Sequence, residues 1–152
     1  MKTIYVDVNQ FDNVNGVFVN DNNIVLKSAG AVISAMDIKD YNEDYKRFKE
    51  EYDIQFIFEN NVPKIDIFTI PMVDIFAVDS EGGYIASLGE MTNLRENIPI
   101  CYIDKNHKCY FICDNGKDFI NNANHWKNML KLCSSIEIFD SKESAMKQYE
   151  FL

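Results

Sequence analysis

Between residues 54 and 113 the chain is a succession of short apolar runs broken by turn formers, and this constrains its fold more than any other feature. Residues 54–58, 65–70, 72–78, 84–88, 99–104 and 108–113 are each long enough for a strand and too short for a helix. Asn60, Asn61, Val62 and Pro63 break the first run from the second. Asp79, Ser80, Glu81, Gly82 and Gly83 form a glycine-assisted turn, and Asp104, Lys105, Asn106 and His107 form another. Connections this short favour antiparallel pairing of successive strands.

The flanks supply the remaining elements. Residues 3–8 alternate Ile4, Val6 and Val8 against Thr3, Tyr5 and Asp7, which is strand spacing. Residues 16–19 and 24–26 flank Asn20, Asp21, Asn22 and Asn23, a turn-forming run that predicts a hairpin. Residues 28–36 fit a strand or a short helix equally well. A helix is predicted over residues 40–53, where Tyr41, Tyr45, Phe48 and Tyr52 recur at four, three and four and share one face. A second is predicted over residues 118–132, with Phe119, Ala123, Trp126, Leu130 and Cys133 as its apolar seam. Residues 136–139 read as a short strand, and Ser141 as the N-cap of a last helix over residues 142–151, with Glu143 suited to its dipole. The expected architecture is α+β in a single domain spanning residues 1–152: a central, mostly antiparallel sheet with helices before and after it packed on one face.

Charge narrows the partners. Fifteen Lys and Arg stand against 24 Asp and Glu, a net charge of −9. A field of that sign repels phosphate backbones and anionic lipid, which argues against nucleic acid and membrane and in favour of a basic protein partner. The opening residues lack the apolar run of a signal peptide, and no uncharged stretch reaches the ~18 residues of a membrane span. A cytoplasmic location is therefore expected, with Cys101, Cys109, Cys113 and Cys133 reduced.

No catalytic or metal site is expected from these residues, and no cofactor. Zinc sites draw on closely spaced ligand pairs. Cys109 and Cys113 are four apart on a predicted strand, on one face yet separated by about 13 Å from strand rise, and Cys133 sits on the helix seam. A Cys–His nucleophilic pair with His107 or His125 has no nucleophile turn to carry it. Asp74, Asp79 and Glu81 do not form the spaced acidic ladder that wraps calcium, and the Gly82–Gly83 pair lacks the Lys and helix of a phosphate loop.

The segment from Ile70 to Ala86, through Asp74, Asp79, Ser80, Glu81, Gly82, Gly83 and Tyr84, resembles the central signature of the SUKH superfamily, the Smi/Knr-like proteins. A strand ends in Asp, a short Gly-rich turn follows, and an aromatic strand returns. Ile100 to Asp104 resembles that family's next strand, and residues 119–130 its following helix, so the resemblance covers roughly residues 65–133. The family's early Trp and Leu-Pro-x-x-Tyr helix opening have no counterpart here; Asp44, Tyr45, Lys46, Arg47 and Phe48 are the nearest stretch. The resemblance implies an α+β fold and an immunity protein that binds and neutralises a bacterial toxin, often a nuclease or deaminase. A basic toxin domain would be the partner. Asp74, Asp79, Glu81 and Tyr84 would contact it, Asp79 and Glu81 electrostatically and Tyr84 as an aromatic anchor. The rival readings are a regulatory or structural interaction domain without a toxin partner, and a hydrolase with a Cys/His site.

Overall fold

The computed structural model describes residues 2–10, 18–19, 23–89 and 97–152. Asn20, Asp21 and Asn22 of the expected hairpin turn, and the start of its first strand at residues 16–17, lie outside them. β1 (Lys2–Asp7), β2 (Phe18–Val19) and β3 (Ile24–Ala29) form a three-stranded sheet in the order β1-β3-β2. The expected hairpin pairing is present, with Phe18 opposite Leu26 and Val19 opposite Val25, while β1 runs parallel to β3. Residues 28–36 resolve as extended chain: β3 ends at Ala29 and β4 (Ala31–Ile33) follows.

The first long helix, α1 (Glu43–Tyr52), starts where Asn42 accepts a hydrogen bond from the Asp44 N–H at 2.9 Å, with Glu43 and Asp44 favourably placed in the first turn. It ends at Asp53, which adopts left-handed backbone (φ 58°) and returns its N–H to the Phe48 carbonyl. Tyr41 therefore precedes the helix and is 51% exposed, whereas Tyr45, Phe48 and Tyr52 are half-buried against the core.

The main sheet comes next. β5 (Gln55–Phe56), β6 (Phe68–Ile70), β7 (Val73–Val78), β8 (Tyr84–Ser87), β9 (Ile100–Ile103), β10 (Cys109–Cys113), β11 (Lys131–Leu132) and β12 (Glu137–Phe139) follow in chain order. Seven strands build one sheet in the order β11-β10-β9-β8-β7-β4, with β5 also paired to β7. The meander from β7 to β10 is antiparallel as expected. β4 departs from this by lying parallel to β7, with Ala31 opposite Val73 and Ile33 opposite Ile75. β6 is also a correction. Only residues 68–70 of the expected 65–70 are strand, and they pair with β12 because β4, β5 and β8 already occupy the two sides of β7.

Two β-bulges control which side chains face which way. One falls between Ile75 and Ala77 in β7, the other between Phe111 and Cys113 in β10. An extra residue at each point sends two consecutive side chains to the same side. Phe76 and Ala77 thus both enter one core cluster, as do Ile112 and Cys113, while Val73, Ile75, Cys101, Ile103 and Cys109 enter the cluster on the opposite face. The expectation that Cys109 and Cys113 share a face is overturned by the second bulge.

The first cluster is covered by α1, by α2 (Gly116–Asn121) and by a 3-10 segment (Ala123–Asn128), which contribute Tyr45, Phe48, Phe119, Ala123 and Trp126. The second is closed by Ile65, Ile67, Cys133 and Ile136 from irregular chain. A third joins Ala29, Phe68 and Ile70 to Ala145 of α3 (Lys142–Met146).

The continuous helix expected over residues 118–132 is not formed. α2 stops at Asn122, whose side-chain amide donates to the Asp118 carbonyl at 2.8 Å; His125 is non-helical, and residues 131–132 are strand. Asn side chains compete for backbone groups in this way and favour helix ends over interiors. Cys133 consequently leaves the expected seam for the opposite face of the sheet. α3 is capped by Ser141 as expected but ends at Met146, and Phe151 instead bridges to Tyr5 of β1.

Candidate functional site

At the end of β7 the chain must reverse into β8, and Asp79 organises the reversal. Its Oδ1 accepts the Gly83 N–H at 2.7 Å and the Glu81 N–H at 3.2 Å. Gly82 takes φ +86°, a backbone region that L side chains rarely adopt. Gly83 is fixed by space: a Cβ there would lie 2.3 Å from the Tyr102 hydroxyl. That hydroxyl, carried by β9, donates to Asp79 Oδ2 at 2.6 Å. Burial first, and then the Asp79 hydrogen bond, push the Tyr102 phenol well above the usual tyrosine range; Glu81 and Asp104 add to the effect.

The turn is tied to two helical segments. Tyr102 meets Trp126 edge-on, with centroids 5.2 Å apart at 67°. The Trp126 indole is 1% exposed and its Nε1–H donates to the Tyr52 carbonyl at 2.7 Å. Next to Tyr52, Asp53 accepts from the Ser80 N–H at 2.9 Å, the Ser80 hydroxyl at 2.8 Å and Lys127 Nζ at 2.7 Å. Burial opposes charge on Asp53, but the Lys127 and Ser80 donors outweigh it and hold the carboxyl below its usual range. The hydrogen bond to Asp53 also raises Lys127. The end of α1, the β7–β8 turn, β9 and the 3-10 segment are thereby clasped together at one rim of the sheet.

Two concavities adjoin the clasp. One of about 200 Å³ is lined by Glu51, Asp53, His125 and Lys127, among others. The other, about 250 Å³, is lined by residues including Glu81, Tyr102, Asp104, Lys105 and Tyr110. Glu81 and Asp104 line the second concavity together with Tyr102, and with Asp79 they oppose ionisation of its hydroxyl. Asp79 is buried, so the negative surface presented to solvent here belongs to Glu81 and the partly exposed Asp104.

The four residues expected from the sequence separate into two groups. Asp79 and Glu81 share the turn, Asp79 as its internal support and Glu81 as its exposed charge. Asp74 lies toward the other end of β7, 3% exposed, accepting from the Ser34 hydroxyl at 2.7 and 2.8 Å. Tyr84 faces the opposite core cluster and donates to Asp66 Oδ1 at 2.7 Å. Burial first, and then Asp66, push its phenol up to about 12. Sequence reasoning missed Asp53, Tyr102, Trp126 and Lys127 as partners of the turn.

The histidines find their polar partners outside the clasp, although His125 lines the first concavity. His107, at the β9–β10 turn, lies 3.0 Å from Asp140, and the exposed His125 contacts Asn124 at 2.8 Å. Among the described residues no group of three or more His, Cys, Asp and Glu is placed to hold a metal ion. Among the same residues no helix is long and apolar enough to cross a membrane. No protein-family model, curated protein or solved structure matches the chain.

Proposed function

We propose that this chain is a cytoplasmic binding protein of the immunity type, which neutralises a basic, nuclease-class toxin domain by covering its phosphate-binding surface. The carrying observation is the rigidly held acidic rim: Glu81 and Asp104 beside Tyr102, braced from below by Asp79 and by the Asp53–Ser80–Lys127 contacts. A turn whose backbone is held before encounter needs less ordering on binding, which favours association of its exposed carboxylate with a cationic protein. The net charge of −9 acts in the same direction at longer range. The resemblance of residues 65–133 to the SUKH superfamily supports the same reading. Of the residues expected to contact the partner, Glu81 has the exposed position for it; Asp74, Asp79 and Tyr84 serve by shaping the sheet and turn.

The experiment is association kinetics with the product of the neighbouring gene, across a salt series. Raising ionic strength to physiological shortens the Debye length to about 8 Å and is expected to slow association more than it speeds dissociation. Glu81→Lys should slow association further, while Glu50→Lys on the exposed side of α1 leaves it nearly unchanged. A salt-independent on-rate, or equal effects from the two reversals, would remove this rim from the interface.

A further inference from the structure

The opposite face of the main sheet holds a second concentration of reactive groups, unconnected with the clasp. β10 and β11 pair antiparallel with Tyr110 opposite Leu132 and Phe111 opposite Lys131. One position further along the same register sets Cys133 directly across from Cys109, and the Cys133 N–H donates to the Cys109 carbonyl at 3.0 Å. Directly opposed residues send their side chains to the same face, and both thiols join the same core cluster. On the other side of β10, Cys101 lies opposite Phe111, diagonal to Cys109 and in that cluster as well. Cys113 has been turned away to the opposite face by the bulge. All four thiols are free; Cys101 and Cys109 are buried, and Cys133 is partly open to solvent.

This placement suits a bridge. Hydrogen-bonded antiparallel pairs hold their Cα atoms about 5.5 Å apart, inside the roughly 4.4–6.8 Å that disulfides span. Their Cβ atoms, also about 5.5 Å apart, must draw in by about 1 Å to close the bond, which makes the bridge readily reducible. We propose that Cys109 and Cys133 are a redox-active pair that closes to a reversible disulfide, with Cys133 as the thiol that meets a peroxide-class oxidant. The Cys133 sulfur attacks one peroxide oxygen, the O–O bond breaks, and the departing hydroxide takes up the thiol proton as water. Cys133 is left as a sulfenic acid. The Cys109 sulfur then attacks Cys133, a sulfur–sulfur bond forms, the S–O bond breaks, and the second hydroxide leaves as water with the Cys109 proton. Two thiols lose two electrons and two protons, and one hydrogen peroxide becomes two waters.

The neighbours support that division of labour. Interaction with Cys101 first, and also with Cys133, holds Cys109 below the usual thiol range despite burial. Cys101 is held well above that range by Cys109 and then by burial, so it stays a protonated bystander. Closing the bridge fastens β11, and with it the chain leaving the 3-10 segment, to the main sheet.

The test is a titration of the whole chain with hydrogen peroxide, followed by intact mass and a non-reducing peptide map. The expected product is lighter by two hydrogen atoms, joins the Cys109 and Cys133 peptides, and reverts with a thiol reductant. Cys133→Ser should form no bridge, and Cys113→Ser should oxidise as the native chain does, each checked for folding by Trp126 fluorescence. Gain of oxygen without loss of hydrogen in the native chain would overturn the proposal. So would a Cys101–Cys109 bridge, or a bridge between two chains. The native chain's peptide map decides among these even if a variant fails to fold.

Discussion

Replacing Tyr102 with Phe removes one oxygen and leaves the ring, so it isolates the hydrogen bond at the centre of the clasp. The hydroxyl donates to Asp79 Oδ2 at 2.6 Å in a site where Tyr102 is 6% and Asp79 8% exposed. A hydrogen bond to a charged group contributes about 1.5–3 kcal/mol. Asp79 keeps the Gly83 and Glu81 N–H donors, so its carboxylate is not left bare, and the lower part of that range applies. The ring still fills its place against Trp126, so the void left is that of one oxygen beside Gly83 and its contribution is small. The expected loss is about 1.5–2 kcal/mol, or about 3–8 °C in Tm for a chain of this size. Urea unfolding read by tryptophan fluorescence suits the case, because the one tryptophan of the chain sits against Tyr102. Far-UV circular dichroism gives the independent second trace. A loss under about 0.5 kcal/mol, well below that range, would mean water replaces Asp79 as the partner, and the turn would not be braced from β9. A loss above about 4 kcal/mol, beyond any single hydrogen bond of this kind, would mean the ring itself has moved.

Trp126→Ala should cost about 3–5 kcal/mol, the usual result of truncating a buried aromatic, since the indole is 1% exposed; circular dichroism through urea unfolding measures it, and a loss below about 1 kcal/mol would put the indole at the surface. Tyr84 keeps its proton up to about pH 12, whereas an unfolded tyrosine releases it near 10. Between those values the folded state holds the extra proton, so this contribution is complete below about pH 10 and is lost as pH rises toward 12. Tyr84→Phe should flatten the fall of the urea midpoint across that window; identical slopes in the two proteins would refute the assignment.

The main sheet was legible because its strands are short, apolar and divided by Asn, Asp and Gly. What the alternation of side chains could not register was the extra residue at each bulge. Counting by twos puts Cys109 and Cys113 on one face, and the bulge at Phe111–Cys113 puts them on two. The seam from Phe119 to Cys133 misled for another reason. Its four-and-three spacing is helical, but Asn121, Asn122, Asn124 and Asn128 lie along it, and Asn122 turns its amide to the Asp118 carbonyl where the helix stops. At the candidate site, Asp79 and Glu81 stood out because they lead into two glycines. Asp53 and Lys127 carry no local signal of their roles: one ends a helix, the other is an exposed residue of the 3-10 segment, and they meet from 74 positions apart. Tyr102 reads in sequence as one more aromatic of a buried strand. Its importance lies in the hydroxyl, whose partner is 23 positions away.

The bulges also fix where this chain can change length. Removing a residue from the regular part of β10, Tyr110 for instance, would turn every later side chain of that strand to the wrong face. Removing Ile112 has a different result. Phe111 would be followed directly by Cys113, which would then meet Ile100 in unbroken register and still point to the cluster it occupies now. Phe76 stands in the same relation to Ile75 and Ala77. Each such loss sacrifices one core side chain while leaving the phase of its strand intact. Among descendants of this sequence, single-residue deletions that survive within these two strands should therefore collect at positions 76 and 112.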